Sequence, residues 1–146
     1  LNESDLEAHN IHLNEKYERM IESEQRADLF FCDDAEWLVV ACNTPARMAK
    51  GAVEEMRKAG IKAGLFRPIT LWPFPIDSLL GLLPRARGIL VVEAGNGQLE
   101  DELRIALSYA GVNTPPPITN IRRFGGILPQ QQEIVDNLSS LVEVKS

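Results

Sequence analysis

The chain has 146 residues and a net charge of −6 at pH 7, and 45% of its residues are hydrophobic while 25% are charged. These values are typical of one globular domain and argue against a disordered chain. No apolar run approaches the roughly 20 residues of a membrane-spanning helix, and the acidic balance disfavours the concentrated basic face that nucleic-acid binding needs. We therefore expect neither a membrane nor nucleic acid as a partner.

The first predicted element is a polar helix over residues 5–25, within an arm or linker of residues 1–27. A narrow apolar stripe runs along it at close to heptad spacing: Leu6, Leu13, Tyr17 and Met20. Such a stripe needs a surface to lie against. The sequence leaves open whether that surface is the chain's own domain or a second copy of the chain, as in a homodimer.

Residues 28–146 predict an α/β domain, because short apolar runs alternate with segments of helical periodicity. The predicted strands cover residues 29–32, 35–42, 61–66, 88–93 and 118–124. The predicted helices cover residues 46–59, 76–83, 99–110 and 130–142. Thr44 is expected to cap the first of these helices, with Pro45 at its first position. The run 29–32 lies too close to the next strand for a parallel crossover, so we expect an antiparallel edge strand there.

Two turns are expected to meet at a crevice in this sheet. Right-handed crossovers place strands 61–66 and 88–93 on opposite sides of strand 35–42, which creates a switch point where α/β sheets bind ligands. The predicted crevice residues are Asn43, Thr44, Asn96, Gly97 and Gln98. They suggest a small-anion site, although Glu100, Asp101 and Glu102 would repel phosphate. A purely structural glycine turn explains the same residues.

Cys32 and Cys42 lie in apolar segments and form no C-x-x-C motif, so we predict buried, reduced thiols and no metal site. A thiol enzyme is one alternative function, because Cys42 lies near a predicted helix N-terminus, where the pKa of a thiol can fall. Both histidines, His9 and His12, lie away from it in the polar arm. The absence of a signal peptide predicts a cytoplasmic location. The chain opens at Leu1, which suggests a piece of a longer polypeptide.

Residues 67–75 form the most informative segment, because three prolines exclude regular structure while large apolar side chains remain. The candidate interface residues are Arg67, Leu71, Trp72 and Phe74. Tryptophan and arginine are enriched at binding hot spots. Packing on the chain's own domain and contact with a partner both remain open at this point.

Several motifs together resemble the C-terminal domain of the α-type subunit of 2-oxoacid:ferredoxin oxidoreductases. The matching residues are Thr44-Pro45-Ala46-Arg47, Gly60-Ile61-Lys62, the run from Gly64 to Pro75, Val91-Val92-Glu93, Asn96-Gly97-Gln98 and Gly125-Gly126 with Pro129. The likeness covers about residues 15 to 138, and the 2-oxoglutarate and 2-ketoisovalerate members look most similar. One departure is Cys42-Asn43, where relatives commonly have an aromatic residue and glycine, and it weakens a phosphate-binding interpretation.

The resemblance implies a transketolase C-terminal-like fold. This is a three-layer, mostly parallel open sheet with strand order 1-3-2-4-5 and strand 1 antiparallel. It also implies an enzyme that decarboxylates a 2-oxoacid to an acyl-CoA with thiamine diphosphate, magnesium and iron–sulfur clusters, and that passes electrons to ferredoxin. The family holds these groups elsewhere, so this chain is expected to bind no cofactor and no metal, and to be inactive alone.

The leading hypothesis is thus a non-catalytic assembly domain that contacts the other domains and subunits of such an oxidoreductase. Besides the thiol enzyme, the other alternative is a free-standing small-anion or nucleotide-binding module at the switch point.

Overall fold

The computed structural model describes residues 2–145, in which five helices and one 3₁₀ turn surround a five-stranded sheet. The helices are α1 (Glu3–Ser23), α2 (Asn43–Lys58), α3 (Ile76–Leu80), α4 (Gln98–Tyr109) and α5 (Gln131–Lys145), and the 3₁₀ turn is Leu83–Arg85. The strands are β1 (Ala27–Phe30), β2 (Trp37–Ala41), β3 (Ala63–Pro68), β4 (Gly88–Glu93) and β5 (Ile118–Arg122).

The sheet has the order β1-β3-β2-β4-β5, with β1 antiparallel to β3 and the other pairs parallel. In the central register Val39 lies between Leu65 and Leu90. Every residue of β2 and β4 is buried, as expected for parallel strands that are covered on both faces. The predicted fold class and strand order are confirmed.

Two apolar layers cover the sheet, one on each face. On one face α2 and α5 pack through residues such as Val53, Met56 and Ile134. On the other face Leu79 of α3 and Leu103 of α4 share a core with Phe66 of β3. Because both layers come from this chain, the domain builds its own three-layer core.

Some predicted boundaries were wrong. The expected cap, Thr44, lies inside the first turn of α2, which begins at Asn43 after the N-cap Cys42 and has no side-chain cap. The edge strand ends at Phe30 rather than at Cys32, because Phe31 adopts a positive φ of 54° that extended pairing cannot continue. β3 runs from Ala63, which pairs with Trp37, to Pro68, because the antiparallel strand β1 pairs with it as far as that residue.

The N-terminal arm lies against its own domain at one end. No residue of α1 is buried, but the Tyr17 ring meets the Trp72 ring edge-on, with centroids 5.5 Å apart. The Gln25 side chain then donates to the Asp77 carboxylate and accepts the Asp77 N–H, both at 3.1 Å. Within residues 2–145, none of the helices combines the length and the apolar character that crossing a membrane requires.

Candidate functional site at the carboxyl edge of the sheet

A cavity of about 300 Å³ opens where the carboxyl ends of β2 and β4 diverge. The first turn of α2 contributes Asn43 and Thr44, and α4 contributes Gln98 and Glu102. Leu71, from the proline-rich loop, forms part of the wall, so the predicted crevice and the predicted interface loop meet at one place. Asn96 and Gly97 are not among the lining residues.

The β4–α4 turn uses its own backbone donors. The Glu93 carboxylate accepts the N–H of Gly97 at 2.7 Å and the N–H of Glu100 at 3.2 Å, and the Gln98 side-chain oxygen accepts the N–H of Asn96 at 2.9 Å. A carboxylate therefore already occupies the positive end of α4, where an anion would bind. This arrangement does not favour the small-anion alternative for the turn.

Glu93 was missed by sequence reasoning, because it ends an apolar run and looks like the last residue of a strand. The sequence feature that could have identified it is an acidic residue at the end of a strand, just before a glycine turn and a helix. The carboxylate is buried, and its cost of burial is offset by the two amide hydrogen bonds.

Behind the turn, Glu100 forms the centre of a polar cluster. One of its oxygens receives Arg104 at 2.7 and 2.9 Å, and the other receives Arg122 at 2.9 Å and Asn120 at 2.7 Å. Burial opposes ionisation, but these donors outweigh it and lower the pKa of Glu100 below its ordinary value. The cluster joins α4 to β5 and positions the turn. It does not line the cavity.

Cys42 lines the cavity as a protonated thiol. Burial, with the nearby Glu93 charge as a second cause, raises the pKa of Cys42, and the Asn43 amide lies 3.8 Å from its sulfur. Burial likewise raises the pKa of Cys32 to about 11. Because the thiolate is the reactive form, this environment does not favour the thiol-enzyme alternative.

The proline-rich loop divides its side chains between the core and the surface. Phe74 is only 7% exposed and packs against Phe66, so the domain's own core holds it and we leave it out of the surface defined below. Leu71 and Trp72 are 46% and 51% exposed. Arg67 lies on β3 and pairs with Asp28 at 3.1 Å. We call Leu71, Trp72 and the cavity residues Thr44, Gln98 and Leu128 the carboxyl-edge surface.

The residues of this edge do not fit thiamine diphosphate or a metal centre. The amides that could hold a diphosphate are bonded within the turn. Over residues 2–145, no three His, Cys, Asp or Glu side chains gather as a metal ion would require. The arrangement offers apolar contact area with a few polar groups.

Comparison with known proteins shows which family and which relatives this domain resembles. Residues 35–134 match the family described as pyruvate:ferredoxin oxidoreductase core domain II. Ketoisovalerate oxidoreductase subunit VorB of Methanothermobacter thermautotrophicus is 36% identical over 134 residues, and the match covers 92% of this chain. 2-Oxoglutarate synthase subunit KorA of Methanothermobacter marburgensis is 32% identical over 110 residues, or 75% of this chain. The matches span 36% and 28% of those relatives' own lengths.

Two solved structures share the fold. A 2-oxoglutarate:ferredoxin oxidoreductase from Magnetococcus marinus, solved with 2-oxoglutarate, coenzyme A and succinyl-CoA bound, aligns with a TM-score of 0.75 at 15% identity, over 97% of this chain and 24% of that one. A split-gene transketolase, described as an inactive beta4 tetramer, aligns with a TM-score of 0.67 at 17% identity, over 83% of this chain and 42% of that one. Together with the family match and the curated relatives, this agreement in fold leads to one conclusion: the chain belongs to the pyruvate:ferredoxin oxidoreductase core domain II family, whose relatives here are subunits of 2-oxoacid oxidoreductases.

Proposed function

We propose that this domain is a non-catalytic assembly domain of a thiamine-diphosphate-dependent 2-oxoacid:ferredoxin oxidoreductase, and that it contacts neighbouring domains and subunits through the carboxyl-edge surface. The observation that carries the proposal is the exposure of Leu71, which lines an apolar cavity, and of its neighbour Trp72. Exposed large apolar side chains beside a concavity are typical of binding hot spots.

The chemistry of the edge supports the non-catalytic part of the proposal. Cys42 has a raised pKa, the Glu93 carboxylate is bonded to two amides, and neither group is available as a nucleophile or a base. Thiamine diphosphate, magnesium, iron–sulfur clusters and CoA would be held by the rest of the complex. Electrons would reach ferredoxin through that complex, in the cytoplasm.

The test uses the full-length subunit that carries this domain, expressed with the remaining subunits of its oxidoreductase. The double variant Leu71→Ala/Trp72→Ala removes the exposed apolar contact area, and we expect it to weaken association about tenfold, measured by co-purification and analytical ultracentrifugation. Tyr109→Ala is the matched control, because Tyr109 is 90% exposed on α4.

A second control tests whether the contact between the N-terminal arm and Trp72 contributes to association. Tyr17→Ala removes the ring contact to Trp72 and leaves the carboxyl-edge surface intact, so association should persist. If the double variant assembles as tightly as Tyr109→Ala does, the proposal is wrong.

A further inference from the structure

A second concavity, of about 570 Å³, lies between α2 and the β1–β3 edge of the sheet. Three cationic side chains line it: Arg47 and Lys50 from α2, and Arg67 from β3. We call this concavity the basic groove. It stands out because the whole chain carries a net charge of −6.

The positive charge of the groove is only partly neutralised within the domain. Arg47 pairs with none of the carboxylates in residues 2–145. Lys50 places its Nζ 4.7 Å from the centre of the Phe30 ring, a contact that leaves its charge in place. Arg67 pairs with Asp28, but both side chains are well exposed, at 44% and 64%, so water weakens that pair.

The start of α2 adds to the same potential. Its first turn has no acidic residue and its N-cap has no side-chain hydrogen bond, so the positive end of the helix dipole is not offset there. Asn43 and Ala46, which belong to this turn, also line the groove.

The remaining walls are apolar, and they favour a polypeptide occupant over a small anion. Leu29, which is 48% exposed, lines the groove together with Phe30 and Leu65. The cations lie on two separate elements, α2 and β3, which suits carboxylates spread along a segment. β1 is also the edge strand of the sheet, so the groove is open along one side.

We propose that the basic groove binds an acidic segment of a neighbouring subunit, with at least two carboxylates and an apolar side chain between them. The inference rests on the proposed assembly function and names the chemistry of one partner segment. Charge complementarity carries it, since the groove offers three cations and a single exposed carboxylate, Asp28.

The experiment measures association of the full-length subunit with the remaining subunits over a series of salt concentrations. The variant Arg47→Gln/Lys50→Gln should bind about tenfold more weakly, and its binding should depend less steeply on salt. Lys58→Gln is the matched control: it removes a cation from an exposed position on the same helix, outside the groove.

The possible results separate this inference from the assembly proposal. If Leu71→Ala/Trp72→Ala weakens association but Arg47→Gln/Lys50→Gln behaves as Lys58→Gln does, the groove inference is overturned and the assembly proposal stands. If inorganic pyrophosphate binds the groove at micromolar concentration without competing with assembly, the site is one for small anions and the inference is also overturned. If the unaltered subunit does not associate at all, both fail.

Discussion

The Glu93 carboxylate accepts the Gly97 N–H at 2.7 Å and so closes the N-terminus of α4 from within the domain. The same carboxylate accepts the N–H of Glu100. In an open α/β sheet this is the position where a bound anion is normally expected. Here Glu93 of β4 supplies the negative charge, and the β4–α4 turn forms part of the wall of the neighbouring cavity.

Replacing Glu93 should destabilise the domain. Glu93→Ala leaves two buried amide donors without an acceptor, and we expect a loss of about 2–3 kcal/mol in the free energy of unfolding, measured by urea denaturation. Asp101→Asn is the control, because this exposed first-turn carboxylate contributes only through the helix dipole and should cost less than about 1 kcal/mol. Equal losses in the two variants would contradict the assigned role of Glu93.

Gly97 is expected to tolerate no side chain. Its φ is +106°, and a Cβ there would lie 2.7 Å from the Arg122 guanidinium. Arg122 donates to Glu100 at 2.9 Å, and moving its guanidinium aside would weaken that pair. Gly97→Ala should therefore cost more than the roughly 1–2 kcal/mol of left-handed strain alone. Gly111→Ala supplies that baseline, since Gly111 has φ +76° and open space around it. Thermal denaturation of the two variants compares them directly, and a smaller loss for Gly97→Ala would rule out the predicted clash.

The Glu100 cluster should make folding sensitive to acid. Its folded-state pKa lies below the ordinary value of 4.5, so ionised Glu100 stabilises the fold fully above about pH 4.5, and this contribution is lost as the pH falls from there through the folded-state pKa. Glu100→Gln should lose about 2–3 kcal/mol at pH 7 and should respond less to acid in that window. Urea denaturation at pH 7 and at successive lower values checks this, with Glu102→Gln as the control. If the free energy of unfolding falls equally with pH in Glu100→Gln and in the unaltered domain, the cluster is not the source of the acid sensitivity.

Both thiols should react slowly with iodoacetamide near neutral pH, because raised pKa values keep them protonated. Cys32, with a pKa of about 11, should react more slowly than Cys42. Glu93→Gln removes a negative charge near Cys42 and should speed its alkylation without changing that of Cys32. Mass spectrometry of peptides from a time course measures both rates, and rapid alkylation of Cys42 at pH 7 would revive the thiol-enzyme alternative.

The contact between Tyr17 and Trp72 should hold the arm in place. Tyr17→Ala should remove about 0.5–1.5 kcal/mol of local stability, which amide hydrogen exchange detects as faster exchange throughout α1. Ile11→Ala is the control, since Ile11 is 54% exposed on the same helix. Global stability should change little in either variant, and unaltered exchange in Tyr17→Ala would mean that the arm is held by other contacts.

Much of the fold could be predicted from the sequence, because apolar periodicity is a local property. The buried run at 88–93 became β4 with the same limits, and the right-handedness of crossovers places β3 and β4 on either side of β2. The ends of elements were less predictable, since a single backbone angle, such as the positive φ of Phe31, ended β1 early.

Only the tertiary structure decided which polar groups meet. Glu93 and Gly97 are close in sequence, but the bond between them depends on how β4 enters α4, and burial alone distinguishes Phe74 from its exposed neighbour Trp72. Arg47, Lys50 and Arg67 share a groove because parallel pairing brings β3 beside the start of α2. The sequence by itself determined the layers and their order through local hydrophobic pattern. The sites depend on distances between separate elements, and these are set only when the whole core packs.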